Sequence, residues 1–145
     1  MVSVTTTSCI RHSPQMRFYY AYAMKKEFDK ATEDVSIWLH AFTKSEKTID
    51  RASISKFYGD MKYYTPEDPT PKKELHPDFT IESGEQENFI QAILHMRRIL
   101  TMHEGLRWFD VKRYGIEIYR RTVYNGEITV NDKMPANDKR RAIQI

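Results

Sequence analysis

The sequence has 145 residues, a net charge of +3 and a single cysteine. This length suits one domain with a usable core, and the apolar and charged fractions of 40% and 30% are those of an ordinary globular chain rather than a disordered one. One cysteine excludes an intrachain disulfide. The positive charges are scattered and form no one-sided basic stripe, so we expect no nucleic-acid partner.

Two helices are predicted near the start of the chain. Ser13-Pro14 has the residue types of a helix start, and apolar residues then recur at helical spacing over Met16–Met24 and Phe28–Phe42. The polar junction between these segments is short, which predicts a helical hairpin. Residues 1–13 are rich in Thr and Ser and are predicted to be poorly ordered.

The predicted hairpin resembles a single tetratricopeptide unit. Small residues, Ala21 and Ala23, lie in its first helix, and Phe28 and Ala31 open the second. Small residues let helix backbones approach each other, while aromatic rings fill the space that remains. No second copy follows, so an array of such repeats within this chain is not expected.

The middle of the chain is less regular. A short helix is predicted over Ile49–Tyr58 and ended by Gly59. The proline-rich stretch Tyr63–Pro71 predicts a long surface loop of the kind that often contributes to binding. Within it, Tyr63 and Tyr64 are candidate ligand-binding residues, because a tyrosine ring can stack on the apolar face of a sugar.

The longest predicted helix begins with a capping box of Ser83 and Gln86. Gly105 interrupts this helix, and a second helical stretch follows over Leu106–Tyr114. Gly115 ends that stretch in the manner of a C-cap glycine.

Beyond this point the apolar period changes from helical to two. Asn125-Gly126 lies between two such runs and predicts a β-hairpin. The expected fold is therefore mainly α, with a helical hairpin, a long helix and a small C-terminal β-hairpin. We expect residues 1–145 to form a single domain.

The stretch Glu104–Gly115 combines charges and aromatic residues in a regular pattern. Its charged residues, spaced three apart and alternating in sign, can pair along a helix surface. These residues are Glu104, Arg107, Asp110 and Arg113. Trp108, Phe109 and Val111 are expected on the buried side.

This stretch, with Arg97-Arg98 before it, resembles the signature of SusD/RagB proteins, which reads Arg-Arg…Glu-Gly-x-Arg-Trp-Phe-Asp-Leu-x-Arg-Trp-Gly. The preceding hairpin and the segment Arg140–Ile145 are also similar to that family, so the resemblance covers the C-terminal part of a full-length member. The matching residues are Arg97, Arg98, Glu104, Gly105, Arg107, Trp108, Phe109, Asp110, Arg113 and Gly115. Where the family usually has acidic residues, this chain has Met96 and Leu100, so Arg97 and Arg98 must find other partners.

The resemblance implies a SusD-like helical fold fragment that serves as a non-catalytic glycan- or nutrient-binding component of a TonB-dependent uptake system. Its implied partners are the glycan or nutrient and a SusC-like transporter, on the cell-surface side of the outer membrane. The family reaches the membrane through a lipid anchor. Met1–Cys9 lacks the basic start and apolar run of a lipoprotein signal, so Cys9 is not expected to be lipidated.

The residue patterns favour binding over catalysis. Glu104 and Asp110 lie on one helix beside arginines, unlike the facing carboxylates of a glycosidase. His95 and His103 do not have the spacing of metal ligands. We therefore expect no enzyme, no metal and no cofactor. A tetratricopeptide-like module that binds a protein partner stays open as one alternative, and a glycan-processing enzyme as another.

Overall fold

The computed structural model describes residues 14–43, 47–102 and 104–138, with the backbone alone at 14–18 and 42. Over these residues the protein is mainly helical and has one small antiparallel sheet, as predicted. The elements are α1 (Pro14–Lys25), α2 (Phe28–Thr43), α3 (Arg51–Asp60), α4 (Glu85–Leu100), α5 (Arg107–Arg113), β1 (Ile118–Tyr124) and β2 (Glu127–Met134). The predictions for residues 1–13, His103 and Arg140–Ile145 lie outside the described residues.

The chain divides into two compact units. The first unit combines Met1–Gly59 with Ile81–Met96, and the second combines Asp60–Thr80 with Arg97–Ile145. Most of helix α4 therefore belongs to the first unit, and its last residues, from Arg97 onwards, belong to the second.

The predicted helical hairpin is present in the first unit. Helices α1 and α2 pack on each other, and the turn between them places Lys26 at a φ of 62°. The N–H of Glu27 donates to the carbonyl of Tyr22 at 2.9 Å, which satisfies the end of α1. Ala23 and Ala31 are fully buried, as expected for small residues of a helix contact. Ala21, which was predicted to have the same role, is exposed, so for this residue the prediction is wrong.

Phe89 of α4 lies at the centre of the first unit and is fully buried. Its ring centroid is 5.0 Å from that of Phe28 and 6.1 Å from that of Tyr19. The Tyr19 hydroxyl donates to the Phe89 carbonyl at 3.1 Å, so this buried tyrosine keeps a hydrogen bond. Burying each of these rings contributes roughly 1.5–3 kcal/mol. Tyr19 and Trp38 are both buried in the first unit.

Gln86 is buried but does not form the predicted capping box with Ser83. Its Oε1 accepts the N–H of Glu82 at 2.8 Å. Its Nε2 donates to the carbonyls of Ala23 and Met24 at 3.3 and 3.2 Å. The side chain therefore satisfies carbonyls at the end of α1, a tertiary role that sequence spacing along α4 does not reveal.

Polar side chains connect α3 to α4. Asn88 Nδ2 donates to the carbonyl of Ser55 at 3.1 Å, and the Tyr58 hydroxyl lies 3.0 Å from His95 Nδ1. Burial raises the pKa of Tyr58 to about 12. Gly59 does not end α3 as predicted, because the helix continues to Asp60. A Cβ at this glycine would lie 3.5 Å from Asn88 Nδ2, so the two helices approach closely there.

The predicted β-hairpin is present in the second unit. Tyr124 pairs with Glu127 across a turn whose central residues, Asn125 and Gly126, have φ values of 50° and 83°. Positive φ at both positions is the requirement of a type I′ turn, which Asn-Gly meets at little cost. A β-bulge shifts the register between Arg120 and Arg121.

Gly115 marks a close crossing of two chain segments in the second unit. Its φ is +58°, and an added Cβ would lie 2.7 Å from the carbonyl carbon of His76. The N–H of His76 donates to the carbonyl of Tyr114 at 2.8 Å. The rings of Tyr114 and Phe79 meet edge to face at 5.8 Å. The segment before α4 is thereby fixed along the end of α5.

Candidate functional site

The proline-rich loop is held in a closed shape by its own hydrogen bonds. The N–H of Tyr64 donates to the carbonyl of Lys72 at 2.8 Å. The Thr70 hydroxyl donates to the carbonyl of Lys62, also at 2.8 Å. Arg121 of β1 donates to the carbonyl of Pro66. These hydrogen bonds fix the backbone of the loop and therefore the position of Tyr64.

Tyr63 and Tyr64, predicted together as ligand contacts, have different surroundings. The Tyr63 ring is 38% exposed and has Lys72 Nζ 4.6 Å from its centroid. The Tyr64 ring lies 6.0 Å from the ring of Tyr119, with an interplanar angle of 35°. Tyr64 is thus the member of the pair whose ring lies beside a second aromatic ring.

Tyr64 and Tyr119 line a groove of about 340 Å³ in the second unit, which we call the tyrosine groove. Its polar lining comes from Tyr64, Lys73, Arg98, Arg107, Glu117 and Tyr119. Its apolar lining comes from Met102, Val111, Ile116 and Ile118. A cavity of this volume is at the small end of the range for ligand pockets.

Lys73 carries the strongest electrostatic perturbation in the groove. Burial lowers the pKa of Lys73 to about 7, and the neighbouring guanidinium groups of Arg98, Arg107 and Arg121 act in the same direction. Its Nζ lies 3.0 Å from the centroid of the Tyr64 ring, whose face attracts a cation. The groove therefore holds a lysine whose charge changes near neutral pH.

Glu117 and Lys133 form an ion pair beside the groove. Lys133 Nζ lies 2.9 Å from Glu117 Oε2, and the Tyr119 hydroxyl donates to the same oxygen at 2.8 Å. These two hydrogen bonds hold the pKa of Glu117 below its usual range although burial opposes them. The carboxylate also fixes the hydroxyl end of Tyr119, so that ring has a defined orientation.

The family-like motif is organised around Asp110, which is almost completely buried. Arg97 Nε donates to its two oxygens at 3.0 and 3.2 Å. Arg107 Nη1 lies 3.8 Å from Oδ2, an ion pair but beyond hydrogen-bond distance. The predicted pair of Arg107 and Asp110 is therefore present, and Arg97 has found the partner that its neighbours on α4 do not supply. Glu104 lies in the turn before α5 and is exposed.

Phe109 was expected on the buried side of this helix, and that prediction is wrong, because the side chain is 60% exposed. Asp110, Val111 and Tyr114 are the buried residues of α5 and its end. At about 100° per residue these three positions share one face, which turns Phe109 to the opposite side and leaves Trp108 half-buried.

Sequence reasoning missed the four apolar residues of the tyrosine groove and three of its polar residues, namely Lys73, Glu117 and Tyr119. It named Arg98 and Arg107 only as structural parts of the motif, yet both line the groove. Glu117 directly precedes β1 and is two residues from Tyr119, a spacing that allows both side chains to lie on one side of extended backbone, as their hydrogen bond shows. Nothing in the sequence indicated Lys73, because its position depends on how the loop closes.

The described residues contain no group of three or more His, Cys, Asp or Glu side chains that could hold a metal ion. No helix in the part of the chain that the structure describes is long and apolar enough to cross a membrane. What the tyrosine groove offers is binding: two aromatic rings, several cations and one carboxylate already in an ion pair.

No protein-family model matches the chain, and no curated protein or solved structure is significantly similar to it.

Proposed function

We propose that this chain is part of a SusD/RagB-type capture protein. In this role it would bind a glycan or another nutrient without chemistry and pass it to a SusC-like TonB-dependent transporter at the outer membrane. The observation that carries the proposal is the motif from Arg97 to Gly115. Its residue types and spacing resemble the family signature, and its charges meet at Asp110.

The geometry of that motif supports a scaffold role for it. A buried carboxylate that accepts hydrogen bonds from one arginine and pairs with a second fixes the end of α4 relative to α5. A buried carboxylate that contacts two arginines in this way suits a structural ion pair and not a general acid. The motif therefore supports the binding surface beside it and does not itself react.

The tyrosine groove supports the capture role. Tyr64 and Tyr119 present two rings at 6.0 Å, and polar side chains surround them. Sugars have apolar C–H faces that pack on aromatic rings and hydroxyl groups that need hydrogen-bond partners. Tyr63 is proposed as an outer contact, since its ring is partly exposed on the same loop.

A binding experiment tests the capture role. The protein is screened against a panel of glycans by titration calorimetry, together with Tyr64→Ala, Tyr119→Ala and the control Tyr124→Ala, whose ring is 74% exposed on the hairpin. We expect loss of binding with the first two variants and none with the third. Equal loss with all three, or cleavage of a glycan that disappears in Asp110→Asn, contradicts the proposal.

A tetratricopeptide-like module that binds a protein partner is the second candidate. The observation in its favour is the α1–α2 hairpin, whose helices pack on each other and contain the fully buried Ala23 and Ala31. The two candidates differ in their genetic surroundings. A transporter gene directly upstream supports the capture protein, and co-purification of the chain with that transporter, rather than with a soluble partner, decides between them.

A further inference from the structure

We infer that the tyrosine groove selects acidic sugars, in which a carboxylate or sulfate group meets the cations at one side of the groove while the sugar ring packs on Tyr64 and Tyr119. This inference rests on the proposed capture function and names the chemical class of its ligand.

Cations dominate the polar lining of the groove. Lys73, Arg98 and Arg107 line it, and Arg121 is close enough to act on the charge of Lys73. Like charges gathered in a partly buried place repel each other, which is costly unless an anion joins them. The described residues of the groove supply one carboxylate near these groups, Glu117.

Glu117 is already occupied by other donors. It accepts hydrogen bonds from Lys133 at 2.9 Å and from the Tyr119 hydroxyl at 2.8 Å. Glu74 lies nearby, but its side chain is 61% exposed, and it pairs at 3.8 Å with His76. Among the described residues neither carboxylate forms an ion pair with Arg98, Arg107 or Arg121, and only Arg107 has a carboxylate partner, Asp110 at 3.8 Å.

Arg107 lines the groove and has one nitrogen whose hydrogen-bonding capacity is unsatisfied. Its Nη1 is buried and has no hydrogen-bond partner among the described residues. Asp110, the nearest carboxylate, uses both oxygens to accept from Arg97 Nε and lies 3.8 Å from Nη1. A guanidinium group can hold a carboxylate with two parallel hydrogen bonds. The Arg107 side chain is 26% exposed although Nη1 is buried, so a ligand anion in the groove would meet the exposed part of the guanidinium group.

The aromatic pair explains why the anion should belong to a sugar. The Tyr64 and Tyr119 rings are tilted by 35° and lie 6.0 Å apart, so they form an open angle rather than a closed stack. A pyranose ring can pack against such faces through its C–H groups. Burial also lowers the pKa of Lys73 to about 7. A ligand anion beside the amine would favour its protonated form and so raise this pKa again.

The test compares ligands that differ only in charge. Trigalacturonate and its fully methyl-esterified form have the same rings, and a sulfated galactose trisaccharide separates sulfate from carboxylate recognition. Binding to the whole chain is measured by titration calorimetry at fixed salt. We expect trigalacturonate to bind at least about ten-fold more tightly than its ester, as charge-assisted hydrogen bonds require.

Substitutions of single arginines test which side chains bind the ligand anion. Arg107→Gln and Arg98→Gln should reduce the preference for the acid over the ester by about five-fold or more, while Arg120→Gln, on an exposed position of β1, should leave it unchanged. Circular dichroism checks that Arg107→Gln is folded, and Arg98→Gln supplies the same test at an exposed side chain.

Equal binding of the acid and the ester overturns the inference. So does an acid preference that survives in both Arg98→Gln and Arg107→Gln, because the anion then binds elsewhere. Binding of neutral glycans that depends on Tyr64 and Tyr119 but not on charge would overturn the inference and leave the capture function standing. Binding of no glycan of either kind counts against both.

Discussion

Arg97 and Asp110 connect the last turn of α4 to α5 through two hydrogen bonds from a single nitrogen, at 3.0 and 3.2 Å. The Asp110 side chain is only 5% exposed, whereas that of Arg97 is 37% exposed. The buried carboxylate of Asp110 therefore needs the arginines to balance its charge, whereas the charge of Arg97 is partly solvated by water. This asymmetry decides what happens when either partner is changed.

Asp110→Asn should lower the free energy of unfolding by about 2 kcal/mol, because it removes the negative charge that offsets Arg97 and the partly buried Arg107 while keeping the shape of the side chain. The loss is below that of a fully buried pair, since Arg97 can reach solvent. Urea unfolding followed by circular dichroism at neutral pH measures the change.

Glu104→Gln is the control for this experiment. Glu104 belongs to the same alternating charge pattern in the sequence, but it lies in the turn before α5 and is exposed. Its removal should change stability by less than about 0.5 kcal/mol. A loss as large as that of Asp110→Asn would mean that the whole charge pattern, and not the buried carboxylate, stabilises the motif.

Gly115→Ala should destabilise the protein by more than Gly105→Ala. Both glycines have positive φ, at +58° and +69°, so both variants carry the cost of about 1 kcal/mol for a side chain in that conformation. Only at Gly115 does the added Cβ meet backbone, 2.7 Å from the carbonyl carbon of His76. We expect an extra loss of about 1–3 kcal/mol for Gly115→Ala. Similar unfolding midpoints for the two variants would contradict the close crossing.

Local patterns made most of the fold predictable. The Asn125-Gly126 turn and the end of α5 at Gly115 depend on residues that few other side chains could replace, so the sequence specifies them directly. The failures came from tertiary contacts. Gln86 has the spacing of a capping residue but satisfies carbonyls of α1, and Phe109 looks like a core residue but faces away from the buried side.

The candidate site was only partly predictable. Tyr64 was found because it lies in a proline-rich loop, and residue types in such loops carry information about binding. Lys73 and Tyr119 were not found, since they are distant in sequence and meet Tyr64 only when the loop closes through Tyr64 and Lys72. Patterns in a single sequence predict the geometry of neighbouring residues. They do not predict a groove whose lining residues come from separate segments of the chain.

Tyr58→Phe should make the protein less sensitive to alkaline pH. Burial raises the pKa of Tyr58 to about 12, above its ordinary value near 10, so the folded state binds more protons than the unfolded state between these values. Stability is therefore lost as pH rises from about 10 to about 12, by roughly 2 kcal/mol from this group. Urea unfolding at about pH 9 and pH 11.5 measures the slope.

The variant itself should lose about 1 kcal/mol at pH 9, because His95 Nδ1 loses the hydroxyl that lies 3.0 Å away. Tyr124→Phe, at an exposed ring, serves as the control and should retain the full alkaline loss. If Tyr58→Phe and the unmodified protein lose stability in parallel above pH 10, the hydroxyl of Tyr58 is not held in its protonated form by the fold.

The affinity of the tyrosine groove for trigalacturonate should fall as pH rises from about 6 to about 9. Lys73 has a pKa of about 7 without ligand, so its positive charge is lost across this range. Among the residues that line the groove, Lys73 is the one whose pKa is brought into this range. His76, which lies 3.8 Å from Glu74 and acts on the charge of Glu117, is outside the lining and is unchanged in the Lys73 variants, so these separate its effect from that of Lys73. Titration calorimetry at several pH values, in buffers of different ionisation enthalpy, also counts the protons taken up on binding.

Two substitutions make that measurement specific. Lys73→Arg keeps a positive charge throughout the range and should bind with little dependence on pH, whereas Lys73→Met should bind weakly and also without pH dependence. Proton uptake on binding should vanish in both. A pH dependence that persists in Lys73→Met would assign the titrating group to another residue and would remove Lys73 from the anion-binding side of the groove.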